Sequence, residues 1–146
     1  MSEYSKSFEV KWADVDANRH MRHSVYGDYA THVRFSFMAE HGFDLARFGA
    51  LQFGPVIFSD ETQYRKEVTL GDVLRIDLQA SGLSPSGARW RMRQNIYRQD
   101  GKLAAVHNIS GGWLNLRERK LMPPPQELTE LMAKLPRTED FAELPE

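Results

Sequence analysis

The chain changes its hydrophobic period once, and that change constrains the fold more than any other feature. Val25, Tyr29, Val33 and Phe37 recur every four residues, with Tyr26, Ala30 and Met38 flanking the same stripe. That is the signature of one amphipathic helix. From Val56 onward the period is two, the mark of strands buried on one face. Leu74, Ile76, Leu78 and Ala80 alternate with Arg75, Asp77 and Gln79, and Trp90, Met92, Gln94 and Ile96 alternate with Arg89, Arg91, Arg93 and Asn95. Phe8, Val10 and Trp12 add a short strand before the helix. One helix must then cover one face of a five-stranded, largely antiparallel sheet, an α+β architecture.

Local signals set the expected boundaries. Ser24 stands where a helix cap is expected, and the helix runs to about Glu40, where His41-Gly42 stops it. Phe43 to Pro55 reads as a loop with one helical turn. Val56, Phe58, Thr62 and Tyr64 are expected on one face of a strand that ends near Gly71-Asp72. Ser84-Pro85-Ser86-Gly87 is a turn, and Asp100-Gly101 is a hairpin signal. Leu103 to Leu116 is almost all small or apolar, as in a buried central strand, and its Ser110, Gly111 and Gly112 would let the helix backbone approach closely. Pro123-Pro124-Pro125 ends this strand, Gln126 to Lys134 reads as a short helix, and the tail from about residue 136 is expected to be mobile.

At 146 residues the chain has the size of a single domain with a real core. It has no cysteine, which excludes disulfides, thiolate catalysis and cysteine-based metal sites and fits a reducing cytoplasm. The net charge is −1 with no basic run, so no nucleic-acid partner is expected. Met1 to Ser7 is polar, without the apolar run of a signal peptide, and no stretch has the length and apolarity to span a bilayer. Asn108-Ile109-Ser110 matches a glycosylation sequon, read here as coincidence.

The densest chemistry lies between Asp14 and Tyr26, where Asp14, Asp16, His20 and His23 fall between a strand and a helix start. A helix N-terminus carries unpaired N–H groups and partial positive charge, so it can stabilise an oxyanion. A carboxylate just upstream can attack a carbonyl or activate water. The plain structural alternative is a turn in which aspartate caps the helix. Two histidines and a carboxylate also invite a metal, but all the candidates lie within ten residues, and no metal is expected. Arg89, Arg91 and Arg93 form either a solvated sheet face or a seat for the phosphates of a nucleotide-bearing substrate. Tyr26, Tyr29, Phe35, Phe37 and Met38 are either core or the lining of an acyl pocket.

The pattern Asp14-x-Asp16-Ala17-x-x-His20-Met21-x-x-Ser24-x-Tyr26 between a strand and a long helix resembles the 4-hydroxybenzoyl-CoA thioesterase family of hotdog proteins. It is also similar to acyl-CoA and acyl-ACP thioesterases that carry Asp-x-Asp-x-x-x-His-Val-Asn-Asn. The resemblance runs from about Phe8 to Met122, and Tyr64-Arg65-Lys66-Glu67 with Gly71-Asp72 matches the second strand and its turn. It implies a hotdog fold, a long helix wrapped by a curved sheet, in dimers or tetramers of dimers with sites at the subunit interfaces. It implies hydrolysis of an acyl-CoA or acyl-ACP thioester without cofactor. Asp16 is then the catalytic carboxylate, the His23 backbone N–H polarises the carbonyl, and His20 is the motif histidine. Tyr26 and Tyr29 would face the acyl group, and Arg89 and Arg91 the nucleotide. Two positions depart from the pattern: Arg22 and His23 replace paired asparagines, and Thr31 replaces an acidic residue that several relatives carry early in the helix. The His23 side chain is itself a candidate acid or base. The competing functions are a hydratase or dehydratase on the same fold and a non-catalytic acyl-thioester binding protein.

Overall fold

The computed structural model describes residues 3–146. Strand β1 (Tyr4–Glu9) leads through two single 3-10 turns, Trp12–Asp14 and His23–Val25, into helix α1 (Tyr26–Glu40). Helix α2 (Leu45–Leu51) follows, then strands β2 (Phe53–Tyr64), β3 (Val73–Leu83), β4 (Arg89–Tyr97) and β5 (Leu103–Asn115). The short strand β6 (Lys120–Leu121), helix α3 (Gln126–Ala133) and strand β7 (Arg137–Glu143) complete the chain. The main sheet has the order β1-β3-β4-β5-β2, with every neighbouring pair antiparallel. It curls around α1 as the hotdog arrangement expected from the sequence. No helix among the described residues is long and apolar enough to cross a membrane.

The core is the contact between the period-four stripe and the period-two faces. Val33 and Phe37 of α1 meet Leu74, Ile76 and Leu78 of β3 and Ile96 of β4, all 1% exposed or less. Burying a side chain of this size contributes roughly 1.5–3 kcal/mol. Leu128, Leu131 and Met132 of α3 close one end of this layer.

Several boundaries differ from expectation for identifiable reasons. Trp12 belongs to a 3-10 turn and is 80% exposed, so β1 stops at Glu9. Ser24 does not cap α1. The helix is entered through the 3-10 turn His23–Val25, and neither of these turns has a side-chain cap at its N-terminus. Residues 45–51 form two helical turns rather than one, because the Asp44 carboxylate accepts from the Arg47 N–H at 2.9 Å.

Strand β2 carries a bulge at Phe58, where the register with β5 skips from Ile57 to Ser59. The extra residue reverses the alternation, so Thr62 and Tyr64 share a face with Ile57 and Pro55, not with Val56. The strand ends at Tyr64, where the N–H groups of Arg65 and Lys66 both turn to the Ala104 carbonyl. Gly111 makes room for the sheet rather than the helix: a Cβ there would fall 2.3 Å from the Val56 carbonyl oxygen and 2.5 Å from the Trp90 indole. The expected mobile tail is instead β7, which runs parallel to β3.

Candidate active site

The loop between β1 and α1 is a compact turn held by its own backbone. The Asp16 N–H donates to the His20 carbonyl at 2.9 Å, and Arg19 closes the turn with φ 66°, in the left-handed region. The Met21 N–H donates to the Val68 carbonyl at 2.6 Å, which ties the loop to the segment after β2. Asp16 therefore sits on a fixed hairpin in front of the helix start.

The Asp16 carboxylate is exposed and held on one side only. Its Oδ1 accepts from the N–H groups of Asn18 (2.8 Å) and His20 (3.3 Å). Its Oδ2 has no hydrogen bond among the described residues. The side chain thus forms the turn foreseen by the plain structural reading, yet it caps no helix and leaves one oxygen open.

Asp16, His20, Met21, His23 and Tyr26 line one cleft of about 320 Å³. The opposite wall is Tyr64, Arg65, Lys66 and Glu67. Those four were legible only as part of the family pattern, not as site residues, because they lie some forty positions further along the chain. The His23 N–H has no partner within the described chain, the consequence of the uncapped 3-10 turn. The Tyr64 hydroxyl donates to the His23 carbonyl at 3.2 Å, which holds that turn against β2. His20 Nε2 is 2.9 Å from Glu67 Oε2, so its ring is oriented by the far wall. Tyr26 is buried, and its hydroxyl is pushed up to about 12, first by burial and then by Tyr64 and Asp16.

The remaining candidates lie elsewhere in the chain. The Tyr29 hydroxyl donates to Asp14 Oδ2 at 2.5 Å on the other side of the loop, so neither residue lines the Asp16 cleft. Burial first, and then the Asp14 hydrogen bond, raises Tyr29 to about 12. Arg22 approaches Asp14 from outside, at 3.8 Å. Arg89 and Arg91 are exposed on the face of β4 that points away from α1. Arg91 borders a polar groove with Ser59, Glu61, Ser110 and Asp140, away from the Asp16 cleft within one chain. Among the described residues, no three acidic or histidine side chains converge as a metal site would require.

Comparison with known proteins bears on the family and the fold. Residues 10–132 match the model of the thioesterase-like superfamily. A Staphylococcus aureus protein solved in complex with CoA is 22% identical, with 94% of this chain and 87% of that one covered and a TM-score of 0.87. A 1,4-dihydroxy-2-naphthoyl-CoA thioesterase from Synechocystis is 18% identical, with 92% and 98% covered and a TM-score of 0.81. A probable thioesterase from Escherichia coli is 20% identical, with 90% and 98% covered and a TM-score of 0.76. None of the curated proteins compared with the chain matches it. At these identities the likeness to solved structures concerns the fold.

Proposed function

The chain belongs to the thioesterase-like superfamily, and from that premise we propose that it hydrolyses an acyl-CoA thioester with Asp16 as the catalytic carboxylate. The observation that carries this reading is the presence, along one cleft, of Asp16 with an open carboxylate oxygen and of His23, whose N–H has no partner among the described residues and begins the 3-10 turn leading into α1. A thioester carbonyl between them would place its oxygen toward the His23 N–H and its carbon toward Asp16 Oδ2. Charge that develops on the oxygen would meet the N–H and the positive end of α1.

Asp16 then acts in one of two ways. It attacks the carbonyl carbon, expels the CoA thiolate and leaves a mixed anhydride that water opens. Otherwise it takes a proton from a water that attacks directly. Both routes consume one water and yield the free acid and CoA thiol. His20, braced by Glu67, keeps the loop in register, because its own N–H supports Asp16 Oδ1. Tyr26 and Tyr64, in edge-to-face contact, wall the side toward the helix. Arg65 and Lys66 place positive charge on the opposite wall, near the phosphates of a CoA or acyl-carrier substrate.

The protein acts as a homodimer or a homotetramer in this reading. Strand β2 has β5 on one side only, and Ile57 and Phe58 on it are 42% and 48% exposed. A second copy that covers this edge would pair the open strand and bury these side chains. The test of activity is release of free thiol from a panel of aromatic, short-chain and long-chain acyl-CoAs. Turnover of one group supports a thioesterase and names its acyl class. Absence of release across the panel contradicts it and favours a binding protein.

A further inference from the structure

Arg34 is a buried cation with no carboxylate in bonding contact. It sits on α1 one turn after Ala30 and is 8% exposed. A guanidinium carries five N–H donors. Here Nη1 donates to Gln94 Oε1 at 2.8 Å and Nη2 to Thr31 Oγ1 at 2.9 Å. Both partners are neutral and otherwise engaged: the Gln94 amide donates to the Ala30 carbonyl at 2.9 Å and the Thr31 hydroxyl to the Gly27 carbonyl at 2.7 Å. No carboxylate oxygen of the described residues lies within 4.0 Å of the group.

Asp60 on β2 acts on Arg34 through space but makes no bond to it. The other titratable neighbour, His107, is buried and held neutral, so it supplies no negative charge. Burial lowers Arg34 only to about 10, which leaves it charged at neutral pH. A buried charge of this kind is costly until an opposite charge meets it.

Arg34 and Thr31 form the polar edge of a cavity of about 260 Å³ between α1 and the sheet. The rest of its lining is apolar, mainly Phe35, Met38, Ile57 and the indoles of Trp90 and Trp113. The cavity and the Asp16 cleft share no lining residue, but both are bordered by α1 and β2. Because of the bulge, the helix-facing side of β2 runs Tyr64, Thr62, Asp60, Ile57, Pro55. Tyr64 borders the cleft, and Ile57 and Pro55 border the cavity. On α1, Tyr26 borders the cleft and Arg34 lies two turns on, about 12 Å along the axis at the usual helical rise.

We propose that Arg34 selects acyl groups that carry a carboxylate at their far end, so that the substrate class is the mono-thioester of a dicarboxylic acid. This rests on the thioesterase reading of the Asp16 cleft. The chain would lie between α1 and β2 with its thioester at Asp16, its carbons against the aromatic lining and its second carboxylate on the guanidinium. An Arg–carboxylate pair supplies both charge and a two-point hydrogen bond. Thr31 is part of the device. An acidic residue at this position would reach Nη2 from the same helix and satisfy the guanidinium internally; threonine leaves the charge for the ligand.

The test uses two non-hydrolysable CoA thioethers with the thioester carbonyl replaced by a methylene. One bears a chain of about eight carbons, matched to the helical spacing, that ends in a carboxylate, and the other the same chain ending in methyl. Calorimetry on the full chain measures their binding. The carboxylate-ended thioether is expected to bind at least tenfold tighter, a preference lost in Arg34→Gln. Thr31→Glu keeps Arg34 in place and supplies the internal carboxylate, so it abolishes the preference without removing the buried side chain. Equal or weaker binding of the carboxylate-ended thioether to the wild type, no binding of either, or a preference that persists in Thr31→Glu overturns the proposal. A preference for the carboxylate with no hydrolysis of any acyl-CoA would sink the thioesterase reading and leave the Arg34 site standing. Hydrolysis with no such preference would do the reverse.

Discussion

Tyr26 of α1 and Tyr64 of β2 meet edge to face, with ring centroids 5.0 Å apart and planes at 85°. The contact bridges helix and edge strand where the Asp16 cleft opens, and the Tyr64 hydroxyl reaches past it to the His23 carbonyl. The position of the His23 N–H therefore depends on a side chain from β2. Tyr64→Phe keeps the ring and deletes the bond. It is expected to lower kcat about three- to tenfold with KM little changed, as the loss of one hydrogen bond of ~1 kcal/mol would. A raised KM at unchanged kcat would show that Tyr64 binds substrate instead of positioning the turn.

The polar layer under α1 makes stability depend on pH. His107 is 2% exposed, its Nδ1 lies 2.8 Å from Thr62 Oγ1, and burial, then Arg34, pulls it down to about 4 while Asp60 opposes the shift. An unfolded histidine titrates near 6.5. Stability from the neutral imidazole is complete above that value and is lost as pH falls toward 4, because only the unfolded chain takes up the proton in this window. Denaturant titrations should show a loss of roughly 2 kcal/mol between these limits. His107→Asn, which has no titrating ring, should flatten the profile. An unchanged slope would place its origin in other groups.

Gly111 tests the packing of the bulge. A methyl group there meets the Val56 carbonyl oxygen at 2.3 Å and the Trp90 ring at 2.5 Å, and backbone cannot give way as a flexible side chain does. Gly111→Ala is expected to cost about 2–3 kcal/mol by chemical denaturation. A change under about 0.5 kcal/mol, the size of an ordinary surface substitution, would mean that the strand shifts freely.

The exposed edge of β2 predicts self-association. The wild type should sediment as a dimer or tetramer, and Ile57→Asp, which sets a charge on that edge, should shift it toward the monomer. A wild-type monomer at micromolar concentration would contradict the assembly proposed for this site.

The parts of the fold legible in the sequence are those set by local periodicity. The α1 stripe, the β3 and β4 alternations and the Asp100-Gly101 turn need only neighbours a few residues away. The bulge at Phe58 was not legible, because it answers to Gly111, Gly112 and Trp90 on other strands. Strand β7 was missed because its partner lies more than fifty residues upstream. Asp16, His20, His23 and Tyr26 come together because one short motif carries all four. Tyr29 does not join them, because its hydroxyl is held by Asp14 on the other side of the loop. Arg34, Gln94 and His107 each occupy a position that the apolar pattern assigns to core. Only the fold reveals that the three belong to one layer.

In the proposed reaction the Asp16 charge drives thioester cleavage. Asp16→Asn keeps the Oδ1 acceptor for the Asn18 and His20 N–H groups and removes the charge. Free-thiol release from the best acyl-CoA should fall at least about a hundredfold in kcat/KM, the loss of about 3 kcal/mol of transition-state stabilisation, with Tm within a few degrees of wild type. Equal release from both proteins would contradict the assignment of Asp16 and move the chemistry to another group in the cleft.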